Sequence, residues 1–295
     1  MNRRRPHRLV TAALIVSATL MGCEPSELYY PKADPIHVAV EGSVTVMQLG
    51  GGNNGIDEVS LELKVNSLPD LFYDPAQTRS GTLGSGELDT SAQSCALTDG
   101  LTRCSFRLES VDVSNQLFQV LTVTDPREEE ESKWLTSFSI MANPAVVEEA
   151  RDNNHDVEGA AGFVMARSLL SIFAFLIDDT TEEDMLEFGF LVGLVLSQEG
   201  ESVQGASITT VGPHLVDIYL IDEIFSSVTL STDDNATTAS HGLFLVIPKE
   251  STVPVMDFTA TTDVMQGTLS MGSLADSVGL LPIFVGPSSD SEAAQ

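Results

Sequence analysis

The residues able to do chemistry are few and scattered. His155 stands beside Asp156 and near Glu158, which with a further ligand would make a divalent-metal site. The run from Arg151 to Glu158 is polar throughout, however, and reads as loop surface without a third ligand. Asp233-Asp234-Asn235 gathers oxygen atoms suited to calcium but lacks the 12-residue calcium-loop pattern, so it reads as a turn. Glu128-Glu129-Glu130-Glu131 reads as a solvated acidic run. The loop Gly50-Gly51-Gly52-Asn53-Asn54-Gly55 has no following Lys-Ser/Thr and opens no helix, so a β-turn replaces a phosphate cradle. Gly84-Ser85-Gly86 lacks the spacing and the strand-to-helix context of a nucleophile elbow. His37 alternates with Ile36 and Val38 and faces solvent, while His214 and His241 adjoin Gly212-Pro213 and Gly242 as turn residues. No compact catalytic motif emerges. The expectation is a protein that is not an enzyme and needs no cofactor and no metal.

The cysteines carry more. Of the three, Cys95 and Cys104 flank Asp99-Gly100, a strong hairpin-turn signal. An even pair in an exported chain reads as a disulfide clamping that hairpin. Closing so short a loop contributes about 2.5–3 kcal/mol on the chain-entropy account.

Cys23 reads differently. Arg3, Arg4, Arg5 and Arg8 make a positive start with no acid, and Leu9 to Leu20 is an apolar or small-residue run. That run is too short to span a ~30 Å hydrocarbon core, so residues 1–22 read as a cleavable export signal. The stretch Leu20-Met21-Gly22-Cys23 resembles the bacterial lipobox. The resemblance implies cleavage before Cys23 and lipidation of its thiol. Two or more acyl chains hold a protein stably at a membrane. Glu24, where an Asp would favour inner-membrane retention, points to the outer membrane.

The chain holds 14 basic and 43 acidic residues, a net charge of −29, which becomes −33 once the four arginines of the signal are removed. Such a charge repels nucleic-acid phosphates and anionic head groups, leaving nucleic acid out as a partner. With 42% hydrophobic and 19% charged residues the chain is globular rather than disordered.

Stepping along the elements, residues 23–35 carry Pro25, Pro31 and Pro35 and read as a tether. Period-two patterns at Ile36, Val38, Val40 and at Val59, Leu61, Leu63, Val65 mark strands. Leu68 to Ser94 is a low-apolar excursion, and further strands follow at Phe106 to Val113 and Phe118 to Val123. Residues 36–125 are thus expected to form one antiparallel β-sandwich. Residues 126–190 read as an acidic hinge with a strand at Trp134–Ile140, a helix opening at Pro144 and another at Thr180-Thr181-Glu182-Glu183-Asp184. Phe163 to Ile177 is core, as helix or strands, and too short and interrupted to cross a membrane.

From residue 191 strands resume. Gly193-Leu194-Val195, Gly205-Ala206-Ser207-Ile208 and Gly242-Leu243-Phe244 resemble the motif series of carboxypeptidase regulatory-like domains, with Ser202 where the turn proline is usual. The resemblance implies a transthyretin-like β-sandwich over 191–286, acting as a module beside catalytic domains, with 287–295 as a disordered tail. The fold class is therefore mainly β: two antiparallel β-sandwiches of Ig or transthyretin-like type, joined by a segment with short helices. The function this supports is a non-catalytic envelope lipoprotein whose partners are a membrane, through its lipid, and an envelope protein or glycan. The alternative is a glycan-binding or hydrolase-accessory lipoprotein.

Overall fold

Alternating apolar positions, each pairing one buried side chain with one turned outward, set the strands of this chain. A computed structural model describes residues 35–287, apart from 49–59, 69–70, 72–81, 92, 99–100, 115–117, 129–130, 224–225 and 234–235. The signal, Cys23, the tether up to residue 34 and the tail after residue 287 lie outside the described residues, as do the Gly50–Gly55 loop and the Asp99–Gly100 turn. From Pro35 onward the chain clusters as one unit, and it is mainly β.

Its first half contains β1 (His37–Met47), β2 (Leu61–Ser67), β3 (Thr82–Leu88), β4 (Cys95–Thr98), β5 (Leu101–Asp112), β6 (Gln119–Thr124), β7 (Trp134–Ile140) and β8 (Val157–Ala166). β1 is flanked by β5, antiparallel, and β8, parallel. β2 lies between β3 and β6, and β6 joins β7. The apolar faces of β1 and β2 meet in a core that includes Val40, Val44, Leu63, Val65, Leu108 and Val123.

β3 falls inside the stretch read from sequence as a low-apolar excursion. Its two glycines explain why the pattern failed. A Cβ on Gly84 would sit 2.7 Å from a Val111 methyl and one on Gly86 would sit 2.5 Å from a Leu108 methyl. Two inward positions of β3, ahead of the buried Leu88, are therefore empty so that it can lie on β5, and an empty position leaves no hydrophobic signal.

The segment 126–190 contains α1 (Pro144–Asn153), α2 (Arg167–Leu176) and α3 (Glu182–Glu187), of which α1 and α3 are the helices the sequence leads one to expect. It also supplies β7 and β8, so it belongs to the sheet and does not link two separate ones. Asp125, read as the end of the first domain, anchors the turn into β7 instead. Its buried carboxylate accepts two bonds from the Arg127 guanidinium, at 2.9 and 2.6 Å, and one from Ser132 Oγ at 3.1 Å. Burial pushes that carboxyl up, and the Arg127 and Ser132 hydrogen bonds outweigh it to leave a lowered pKa. Phe163–Ile177 divides at Ala166, strand before and helix after. α3 starts as expected, with a capping box between Thr181 and Asp184.

The second half contains β9 (Phe190–Ser197), β10 (Ser207–Thr210), β11 (Val216–Ile221), β12 (Val228–Leu230), β13 (Leu243–Pro248), β14 (Met256–Thr261), β15 (Met265–Met271) and β16 (Ser277–Pro287). The sheet order runs β12-β11-β13-β9-β16-β7-β8-β1-β5-β4, while β10, β14 and β15 form a facing layer attached at the end of β16. Antiparallel pairing dominates, but β16 runs parallel to both β7 and β9, and β1 to β8. One face of β9 and β13 packs on the facing layer through Phe244, Phe258 and Ile283, and the other lies under α2 and α3 through Phe173, Val192 and Leu245.

Gly193 and Phe244 oppose each other across β9 and β13. A Cβ on Gly193 would fall 2.0 Å from the Phe244 ring, so the missing side chain is the space the ring fills. Phe244 is fully buried. Phe244→Ala is expected to cost about 3–5 kcal/mol, read as a lower urea midpoint at unchanged slope.

Candidate functional site

A dense set of interacting polar side chains surrounds His241 where β11 ends and β13 begins. β11 runs out at Ile221, and the loop that follows brings Asp222 and Glu223 beside the turn Ser240-His241-Gly242. Gly242 takes φ 64°, and a Cβ there would meet the Val195 carbonyl oxygen at 2.6 Å, so only glycine turns the chain here. Asp222 accepts from Ser226 N–H at 2.7 Å, Ser226 Oγ at 2.6 Å and Ser227 Oγ at 3.0 Å. The Ser226 hydroxyl foremost holds the Asp222 carboxyl down at about 2. Glu223 accepts from Ser240 N–H at 2.8 Å and Ser240 Oγ at 2.5 Å, and the Ser240 hydroxyl is the main cause of its lowered pKa.

His241 is where sequence and structure differ most. Read as an exposed turn residue, it is half-buried, with Nδ1 accepting the Leu243 N–H at 3.1 Å and Nε2 2.9 Å from the Asp222 carbonyl oxygen. That pair of bonds fits the neutral ring with its proton on Nε2. Both nitrogens thus engage backbone. Ser240, though adjacent, directs its hydroxyl to Glu223 rather than to the imidazole. Serine, histidine and acids meet here as a turn brace, not as a nucleophile and base. The sequence signal for the brace is the Asp222-to-Ser226 spacing, a carboxylate capping the backbone that follows it.

The other candidates separate. His155, Asp156 and Glu158 line a cleft of about 640 Å³ with Val146. His155 Nδ1 lies 2.9 Å from the Asp156 carbonyl oxygen, and Asp156 accepts from Ala39 N–H at 3.2 Å. Asp156 also pairs with Arg107, which bridges to Glu41 and Glu109. These bonds tie β8 to β1 and β5. Among the described residues no group of three or more His, Cys, Asp or Glu side chains is arranged to hold a metal ion. Asp233 donates its N–H to the Leu230 carbonyl in a turn, while Asp234 and Asn235 lie outside the described residues. A second cleft, of about 460 Å³, opens where β7 starts and α2 begins, with Lys133, Arg167, Ser171 and Glu182 along it. Arg167 N–H donates to the Lys133 carbonyl oxygen, and Ser171 Oγ donates to Glu182 at 2.5 Å.

Cys95 and Cys104 are disulfide-bonded across facing positions of β4 and β5. Cys104 is fully buried, so the bond pins the outermost strand of the sheet to its neighbour. Cys23 lies outside the described residues. No helix among the described residues is long and apolar enough to cross a membrane.

No family model matches the chain, and no curated protein shows significant similarity to it. Comparison with solved structures returns a streptococcal ancillary pilin at 7% identity and TM-score 0.21, covering 83% of this chain and 68% of the pilin. A shaft pilin of Lactobacillus rhamnosus GG matches at 10% identity and TM-score 0.22, over 86% of this chain and 99% of the pilin. The pilus 2b backbone protein of group B streptococcus matches at 8% identity and TM-score 0.20, over 88% and 96% of the two chains.

Two outcomes follow from the brace. His241→Ala strands the Leu243 N–H and the Asp222 carbonyl, and is expected to cost about 1–3 kcal/mol in urea unfolding, well beyond an ordinary turn substitution. The Asp222 carboxyl titrates in the folded chain at about 2 rather than its ordinary 3.8. Its contribution is therefore complete above pH ~4 and lost as pH falls toward 2. Ser226→Ala should flatten that loss, seen as a smaller drop in melting temperature between pH 4 and pH 2.

Proposed function

We propose that this chain is a non-catalytic module of a bacterial cell envelope, held at the outer membrane by lipid on Cys23, whose β body binds or spaces other surface components. The observation that carries the reading is the interior position of β16. It unites both halves in one sheet, a construction suited to a body that holds its shape. The brace at Asp222, Glu223 and His241 supports the same reading, because all three side chains accept from backbone N–H groups. The excess of acids keeps such a body soluble and lifted from a negatively charged membrane surface.

Within this reading residues 191–286 are a diverged carboxypeptidase regulatory-like sandwich. The fit of Gly193 against Phe244, the positive φ of Gly205 and Gly242, and the complete burial of Ala206 give its motif residues structural roles.

The test is fractionation of cells expressing the chain with and without Cys23→Ser. The unaltered chain should sediment with membranes after a high-salt wash and carry an acyl mass on its first mature residue. The Cys23→Ser chain should lose the acyl mass and appear in the soluble fraction. Retention of the variant on membranes through the wash would overturn the lipid anchor.

A further inference from the structure

The layer formed by β10, β14 and β15 turns its inward side chains, Ile208, Phe258 and Ala260 among them, into the core. Its outward side chains form a regular array. Ser207 stands opposite Thr261, which stands opposite Gln266, and Thr209 opposite Thr259, which stands opposite Thr268. Asp257 and Ser270 make the next row, continued past the end of β10 by Val211. Neighbouring strands lie ~4.8 Å apart, and residues two apart along one strand lie ~6.7 Å apart, so hydroxyls and one amide recur on a flat lattice.

Hydrogen bonds hold that lattice in place. The Thr259 and Thr268 hydroxyls lie 2.9 Å apart, Ser207 Oγ donates to the Thr261 carbonyl at 3.2 Å, and Ser270 Oγ donates to Asp257 at 2.5 Å. Apolar side chains flank the array. Val211 is 74% exposed, and Phe284, on β16 two residues from the Gln266 partner Gly286, is 49% exposed. Gly286 and Phe284 share a face because side chains alternate along a strand.

A sheet face that meets only water has no reason to avoid charge, and the outer positions of β1, β2, β3 and β5 do not avoid it. The exposed or half-buried outward positions of β1, β2, β3 and β5 include Glu41, Glu62, Lys64, Glu87, Arg103, Arg107 and Glu109. In a chain with 43 acids the strands β10, β14 and β15 carry a single one, Asp257, with Asp263 beyond them at the hairpin tip. The geometry points to this face as a docking surface for an uncharged polysaccharide. Hydroxyl and amide groups both donate and accept, as sugar hydroxyls do, and the flanking Phe284 and Val211 offer apolar surface to the C–H faces of sugar rings. An anionic polymer is repelled by the net charge of the chain.

This assignment deepens the reading of the chain as a non-catalytic binding body and is independent of the lipid anchor. The test is adsorption of the full mature chain, purified in detergent, to microcrystalline cellulose and to chitin powder, in 0.1 M and 1 M NaCl. Retention on at least one powder, unchanged by salt, is expected, since hydroxyl and C–H contacts are not screened. Phe284→Ala and Thr268→Val should each weaken it about tenfold at unchanged melting temperature, while Glu87→Gln on β3 should leave it as it is. A variant with a lowered melting temperature is replaced by Thr209→Val, of which the same tenfold weakening is expected. No retention on either powder, retention abolished by salt, or equal retention of the stable face variants would overturn the assignment. Release of soluble sugar from a powder would leave the docking face standing and overturn the non-catalytic reading instead.

Discussion

A strand hydrogen-bonded along both edges can leave only if two sets of backbone bonds open together, and β16 is such a strand, seated between β7 of the first half and β9 of the second. Residues 277–280 pair with β7 while residues 278–285 pair with β9. Its side chains are shared in the same way. Leu281, Ile283 and Val285 enter one core, and Val278 enters another beneath α2 and α3. Gly279 marks the tightest point. A Cβ there would press within 2.5 Å of Leu191 and 2.6 Å of Phe138, one from each neighbouring strand. The seam closes because that position is glycine.

Much of this architecture is legible in the chain. Period two at Leu61, Leu63 and Val65 gives β2, the Thr181–Asp184 spacing gives the start of α3, and the Cys95–Cys104 separation gives the clamp on β4. The regions that resist reading share a physical cause. β3 contacts its neighbour through absent side chains at Gly84 and Gly86, so burial leaves no hydrophobic trace. β16 looks like any apolar strand, and its parallel neighbours lie more than 80 residues away, a distance that local patterns do not encode. His241 is misread because its partners, the Asp222 carbonyl and the Leu243 amide, are backbone groups that belong to every sequence alike.

The titratable side chains follow a common rule. Asp89, Asp184, Asp222 and Glu223 each have a lowered pKa owed first to a serine or threonine hydroxyl. Each sits in a turn or at a helix start, where a carboxylate satisfies donors that regular structure leaves over. At these four positions hydroxyls and amides take the place of salt bridges. Asp125, buried and gripped by Arg127, instead owes its lowered pKa to a guanidinium and holds the turn between β6 and β7.

The placement of β1 has a mechanical meaning. It is the first strand after Pro35, it lies inside the sheet, and it is bonded to β5 on one edge and β8 on the other. Tension entering the body at its N-terminal side runs along the axis of β1 and loads both rows of hydrogen bonds in shear. Such rows resist together, whereas an outer strand peeled from its end surrenders them one at a time. A body tethered by its N-terminus and dragged by flow or by a bound polymer would yield abruptly and late.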